Sequence, residues 1–223
     1  MRVPPFHVHR SADRYVTETD DIRTLHSFSY GAHYDPDNVA FGPILAVNEE
    51  SVRPGAGYDA HHHADVEIVT WVLEGALDHE DTTGHRGTIR PGTAQRLSAG
   101  TGVQHAERNA SGTEPLRFVQ MMLASQHWDE PEYVSADVTP EPGVLTPTVA
   151  VHAPAELFVL HLVAGQRVTV PEAVRSLVHV THGEVEVAGG ALGPGDQARC
   201  TGGGAYDLSA SGPADALIWQ VTS

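Results

Sequence analysis

Glycine and proline recur every several residues along this 223-residue chain, and the intervals between them are rich in Val, Leu, Thr and aromatic side chains. Segments such as "EIVTWVLEG", "PLRFVQMML", "ELFVLHLVAG", "RVTVPE", "SLVHVTHGEVEVAGG" and "DALIWQV" are short, dense in strand formers and bounded by turn residues, which predicts β-strands. No stretch keeps a helical period for three turns, and "SADRYVTE" and "QHWDEPEY" offer single turns at best. The expectation is an all-β chain of the sandwich or barrel kind.

The pattern repeats. "TWVLEGALDHEDTTGHRGTIRPG" and "VHVTHGEVEVAGGALGPG" each carry a strand ending in glycine (Gly75, Gly183), a hairpin, and a Pro-Gly turn (Pro91-Gly92, Pro194-Gly195). Two copies of one β unit predict a duplicated barrel. The acidic, proline-bearing stretch "SQHWDEPEYVSADVTPEPGVLTPT" reads as the connector, which places an N-terminal unit at 1–132 and a C-terminal unit at 133–223.

Charge narrows the partners. The formal net charge is −16, from 29 acidic residues against 13 arginines and no lysine. Phosphate contacts supply most non-specific nucleic-acid affinity, so a chain this acidic argues against direct nucleic-acid binding and against docking on anionic membranes. With no apolar run of signal or transmembrane length, the reading is a soluble, cytoplasmic protein. Cys200 stands alone and is read as a buried, inert thiol.

The candidate chemistry is histidine. In "GYDAHHHADVEIVTWVLEG", strand alternation sends His61 and His63 to one face and His62 to the other. Two imidazoles at this spacing can share one ion but make a poor site alone. "AGTGVQHAERN" supplies a second pair, His105 and Glu107, again at i, i+2. Three imidazoles and a carboxylate leave coordination positions open to O₂, water or a chelating substrate. With nitrogen and oxygen donors and no thiolate, Fe(II), Mn, Ni, Co or Cu are favoured over structural zinc. From the residues alone, Glu67 competes with Glu107 for the carboxylate place, provided its strand stays regular from His63 through Asp65. Asp65 and His79 are expected at the surface or behind the ligands. The pair His7 and His9 is read as a solvated terminus.

These residues resemble the two motifs of the cupin superfamily. The first is matched by Gly55, His61, His63, Glu67 and Gly75, with the last gap one residue long, and the second by Gly102, His105 and Asn109. The stretch from "HSFSYGAHYDPDNVAFGP" through "GTGVQHAERN" is similar to the pirin family of bicupin proteins over roughly residues 10 to 123. That resemblance implies two cupin (jelly-roll-like) barrels and a metal held by His61, His63, His105 and Glu107, with Fe(II) first among the ions. It moves Glu67 to a supporting place behind the ligands. By the repeat offset, Thr169, Pro171, Leu208 and Ala210 stand where the ligands would be in the second copy, so that copy is expected to lack a metal site.

The resemblance also implies a function: a quercetin 2,3-dioxygenase-type oxygenolysis of a flavonol or similar phenolic by O₂, with Glu107 as both ligand and base. The alternative it implies is a non-enzymatic, metal-dependent redox sensor that binds a regulatory protein partner.

Overall fold

The computed structural model describes residues 4–223. Among them the regular structure is strand, apart from one 3-10 turn at Ser11–Asp13. No helix among the described residues is long and apolar enough to cross a membrane. "SADRYVTE" resolves into that 3-10 turn and a strand, because its β-branched and aromatic half, Tyr15 to Thr17, pairs in a sheet. The chain divides into two compact units.

The first strand, β1 (Phe6–His9), belongs to the second unit, where it pairs antiparallel with a strand containing Cys200. The solvated terminus read from "PPFHVHR" is therefore an edge strand. Burial and Arg199 hold the His9 imidazole down at about 4.

The first unit comprises residues 15–137 and Val149–Ala153. Its strands are β2 (Tyr15–Glu18), β3 (Ile22–His26), β4 (Ile44–Val52), β5 (Gly57–His63), β6 (Val66–Glu74), β7 (Leu77–Asp81), β8 (Arg86–Ile89), β9 (Thr93–Ser98), β10 (Val103–Asn109), β11 (Leu116–Ala124) and β12 (Glu132–Asp137). A seven-stranded sheet runs β12-β9-β6-β11-β4-β3-β2, and a four-stranded sheet runs β5-β10-β7-β8. Residue 133, the boundary read from the sequence, falls within β12, whose partner is β9.

The inward rows of these strands share a composition that positions the site. Ala46, Ile68, Leu97, Val103 and Met122 form one apolar cluster, and Val52, Val72, Leu77, Leu116 and Phe118 form another. Between them, on the same rows, lie Asn48 and Glu50 on β4, Thr70 on β6, Gln95 on β9, Gln120 on β11, and His105 and Glu107 on β10, all buried. Two apolar layers thus enclose a polar layer inside the unit. Buried polar groups are costly unless partnered, so such a layer marks a place where partners are expected.

The second unit holds β1 with β13 (Leu145–Pro147), β14 (Ala155–Leu162), β15 (Arg167–Val170), β16 (Arg175–His182), β17 (Val185–Val187), β18 (Gly190–Leu192), β19 (Gln197–Thr201), β20 (Tyr206–Ser209) and β21 (Ala214–Val221). Its sheets run β1-β19-β16-β21-β14-β13 and β15-β20-β17-β18. This order reproduces the first unit, with β1 in the edge place of β12. The ladders set Val170 against Tyr206 and Val187 against Leu208, as His61 stands against His105 and His79 against Glu107. Val170, Tyr206 and Leu208 thus occupy the ligand places, one or two residues from those the sequence offset suggests. All three belong to one continuous apolar cluster that fills this interior.

Candidate metal centre

The histidine triplet lies at the end of β5, paired with β10 so that His61 faces His105 and His63 faces Val103. Toward Tyr58 and Glu107 the register slips, and β5 carries one extra residue at Asp59–Ala60. This bulge has two effects. It turns Tyr58 inward along with His61 and His63, where strict alternation would leave it outside. It also aims the Asp59 carbonyl at the His61 ring, whose Nδ1 lies 2.8 Å away. A carbonyl only accepts, so Nδ1 carries the proton and Nε2 presents its lone pair to the interior.

The three rings converge. His61 and His105 have centroids 4.4 Å apart, His61 and His63 4.8 Å, and His63 and His105 5.0 Å. One ligand atom from each lies within 4.8 Å of the others. His62 is exposed and covers Gly102: a Cβ there would stand 2.8 Å from the His62 Nε2. The alternation read from the sequence therefore divides the triplet as expected.

Glu107 joins through His105, in an overlapping group with His79. Its Oε2 accepts a hydrogen bond from Gln120 Nε2 at 2.8 Å, while its Oε1 is buried without a protein partner. His63 Nε2, both nitrogens of His105 and Nδ1 of His79 are likewise buried and unpartnered. Orphaned polar atoms this concentrated call for a missing partner, and the donor set, neutral imidazoles plus a carboxylate, suits a first-row divalent ion. The electrostatics agree. Burial and the neighbouring imidazoles lower His63 to about 4 and His105 further, so both are neutral at ordinary pH, the form that ligates. Burial lifts Glu107 to about 7, a rise that the Gln120 hydrogen bond limits and the Glu50 charge adds to.

Glu67 is not brought to this cluster. Asp65 adopts a left-handed φ of 59°, which ends the strand after His63 and starts β6 in the other sheet. The Glu67 carboxylate, fully buried, accepts from Ser98 Oγ at 2.8 Å, Ser125 Oγ at 2.5 Å and the His152 amide at 3.2 Å. None of these is a candidate ligand, so the supporting role expected of Glu67 toward the ligands gives way to one of tying its own sheet together. His79 is the residue found behind His105, buried, with its Nε2 3.0 Å from Asp81. Asn109 ends β10 by donating to the carbonyls of Val52, Arg53 and Glu114.

A cavity of about 340 Å³ opens onto His61, His63 and Glu107. Ile22 and Met122 supply apolar wall, Tyr30 and Tyr58 aromatic wall, and His26, Asn48 and Gln120 polar points. The Tyr58 hydroxyl donates to Glu50 Oε2 at 2.7 Å, as does Thr24 Oγ1 at 2.5 Å. The volume lies in the range of small-molecule sites. Tyr58, Glu50 and Gln120 escape a reading that looks for ligand spacing. The signal that could have shown two of them, Glu50 and Gln120, is a polar residue in the middle of an otherwise apolar alternating row, as in "AVNEESV" and "RFVQMML".

Comparison with known proteins follows the same lines. Residues 8–123 match the model of the Pirin family. A Mycobacterium tuberculosis H37Rv protein named "Putative quercetin 2,3-dioxygenase Rv0181c" is 40% identical over 229 residues, which cover 96% of this chain and 94% of that protein. The Escherichia coli K12 protein named "Quercetin 2,3-dioxygenase" is 37% identical over 102 residues, 46% of this chain and 44% of its own. Among solved structures, the bacterial pirin YhhW of Escherichia coli in complex with nickel(II) matches with a TM-score of 0.91 at 26% identity, covering 98% of this chain and 99% of that one. Duplicated all-β units, a His/Glu cluster inside the first, and similarity that runs nearly the whole length of the chain lead to one assignment: the chain belongs to the pirin family, and its fold is bicupin.

Proposed function

We propose that His61, His63, His105 and Glu107 hold one divalent transition metal, with Fe(II) first and Mn, Ni, Co or Cu as alternatives, and that the chain is a dioxygenase of the quercetin 2,3-dioxygenase type. The observation that carries this reading is the set of unpartnered, buried nitrogen and carboxylate atoms at the inner end of a cavity sized for a small molecule. The names of the relatives point to the same substrate class, a flavonol or similar phenolic with O₂.

A bound divalent ion would act there as a Lewis acid toward the oxygens of a chelating enol. The rest falls to the chain. His61 is held in its ligating tautomer by the Asp59 carbonyl. Gln120 holds one Glu107 oxygen and leaves Oε1 to receive the enolic proton. Burial raises this carboxyl in the metal-free chain, and a bound cation beside it would lower it again and favour the ionised form that can accept a proton. Ile22, Met122 and the tyrosine rings limit water along the cavity. The overall reaction balances as flavonol plus O₂ giving the ring-opened depside plus carbon monoxide.

The test is anaerobic purification with elemental analysis, then turnover of quercetin followed by loss of its yellow absorbance. Metal-replete protein that leaves a panel of flavonols untouched removes the enzyme reading. A partner interaction that changes between reducing and oxidising conditions would then favour the sensor alternative.

A further inference from the structure

Each ligating imidazole must dispose of a second nitrogen. A neutral ring has one N–H and one lone pair, so if the lone pair goes to a metal the hydrogen needs an acceptor. For His61 that acceptor is the Asp59 carbonyl. For His105 both nitrogens are buried, and no protein group bonds either one.

The neighbour that faces His105 from behind is His79. On the β10–β7 ladder His105 pairs with Asp81 and Glu107 with His79, so these side chains share the inner face and His79 lies diagonal to His105. The two rings are 5.3 Å apart, and Tyr133 packs on His79 with centroids 5.0 Å apart. His79 Nε2 lies 3.0 Å from Asp81 Oδ2. Asp81 Oδ1 accepts from the Thr83 amide at 2.8 Å and the Thr83 hydroxyl at 2.5 Å, which keeps the carboxyl ionised and accepting. The His79 proton therefore sits on Nε2, and Nδ1, buried and unpartnered, is left as a bare acceptor. One orphan donor and one orphan acceptor stand on adjacent strands, on one face.

The two rings are adjacent but not hydrogen-bonded as they stand. We propose that when His105 holds a metal its ring turns to give the hydrogen of its non-ligating nitrogen to His79 Nδ1, and that Asp81 locks His79 in the tautomer able to receive it. His79 is then a positioning residue, which touches no substrate and acts through His105 by fixing its ring plane and raising the basicity of its ligating nitrogen. This rests on the reading that His105 holds a metal.

The experiment compares nickel(II) affinity, by chelator competition, in the native chain, His79→Leu, His79→Asn and His105→Ala. It adds ¹⁵N histidine spectra of the native chain loaded with zinc. The expected results are a loss of about 10–100-fold in His79→Leu, recovery in His79→Asn (whose oxygen stands near the place of Nδ1), and a native His79 protonated on Nε2. Unchanged affinity in His79→Leu overturns the relay, as does a native His79 protonated on Nδ1. So does an X-ray absorption count of metal-bound imidazoles that drops in His79→Leu, which would make His79 a ligand itself. If His79→Leu fails to fold, the tautomer seen in the native chain decides. Native-level affinity in His105→Ala removes the metal-centre reading as well; affinity lost there but unchanged in His79→Leu removes the relay alone.

Discussion

Replacing Glu107 with glutamine should destroy the centre and yet stabilise the metal-free chain at high pH. Glu107 is 1% exposed, with one oxygen bonded to Gln120 and the other unpartnered. Burial lifts its carboxyl from 4.5 to about 7, against the Gln120 hydrogen bond and with the Glu50 charge. Between those values the folded chain keeps a proton that the unfolded chain has released. The associated stability is present in full below 4.5 and is lost as pH rises through about 7. At about 1.4 kcal/mol per pH unit the loss amounts to about 3 kcal/mol, most of it between pH 5 and 8. His63 and His105 are shifted the other way, so their contribution is present above the ordinary imidazole range and is lost as pH falls. They are common to both proteins and largely cancel in the comparison. Urea unfolding of chelator-stripped native chain and Glu107→Gln at pH 5, 6, 7 and 8 should give curves that separate with rising pH, the variant becoming the more stable. Curves that stay parallel refute the argument. With excess nickel(II) the order should reverse, because binding to the folded native site adds to its stability.

Three further outcomes follow from the same geometry. His61→Ala and His63→Ala should lose nickel(II) on desalting, while His62→Ala, changed on the outer face, should keep a native metal content by elemental analysis. Gly102→Ala should cost about 1–3 kcal/mol in urea unfolding because its φ is +142°. His62 is the movable end of a side chain, so adding His62→Ala should not recover that cost. Gln120→Met removes the hydrogen bond that limits the rise of Glu107, so the pH midpoint of nickel(II) binding should move upward; an unmoved midpoint would mean that Gln120 does not tune this carboxylate.

The candidate site was legible where strand alternation is regular. β10 alternates between covered and open positions throughout, so His105 and Glu107 could be placed together from spacing alone. Tyr58 could not, because one extra residue at Asp59–Ala60 inverts the phase of β5. Gln120 and Glu50 enter from β11 and β4, which neighbour the cluster only across the barrel interior, and no local spacing announces that. The duplication was visible in the Gly and Pro-Gly punctuation. The edge strand β1 was not, since its partner is the segment around Cys200, and nothing near Phe6 encodes a pairing that distant.

The contest between Glu67 and Glu107 turns on one backbone angle. The cupin spacing would bring Glu67 to the metal if the strand ran straight from His63, but the left-handed Asp65 sends β6 into the seven-stranded sheet. There Glu67 is committed to two hydroxyls and the His152 amide, which fasten 149–153 to this unit. The carboxylate then has to come from β10, and all four proposed ligands fall on two directly paired strands, β5 and β10. The centre depends on a single ladder, not on the packing of one sheet against the other. Glu67→Gln should therefore leave nickel(II) affinity near native while costing about 1–3 kcal/mol in unfolding. Glutamine can set its oxygen where Oε2 accepts from Ser98 and the His152 N–H, and its nitrogen toward the turnable Ser125 hydroxyl. The cost comes instead from losing the charge that lies 4.0 Å from the buried Arg96 Nε, which has no hydrogen-bond partner. A tenfold fall in nickel(II) affinity with unchanged stability would instead return Glu67 to the metal site.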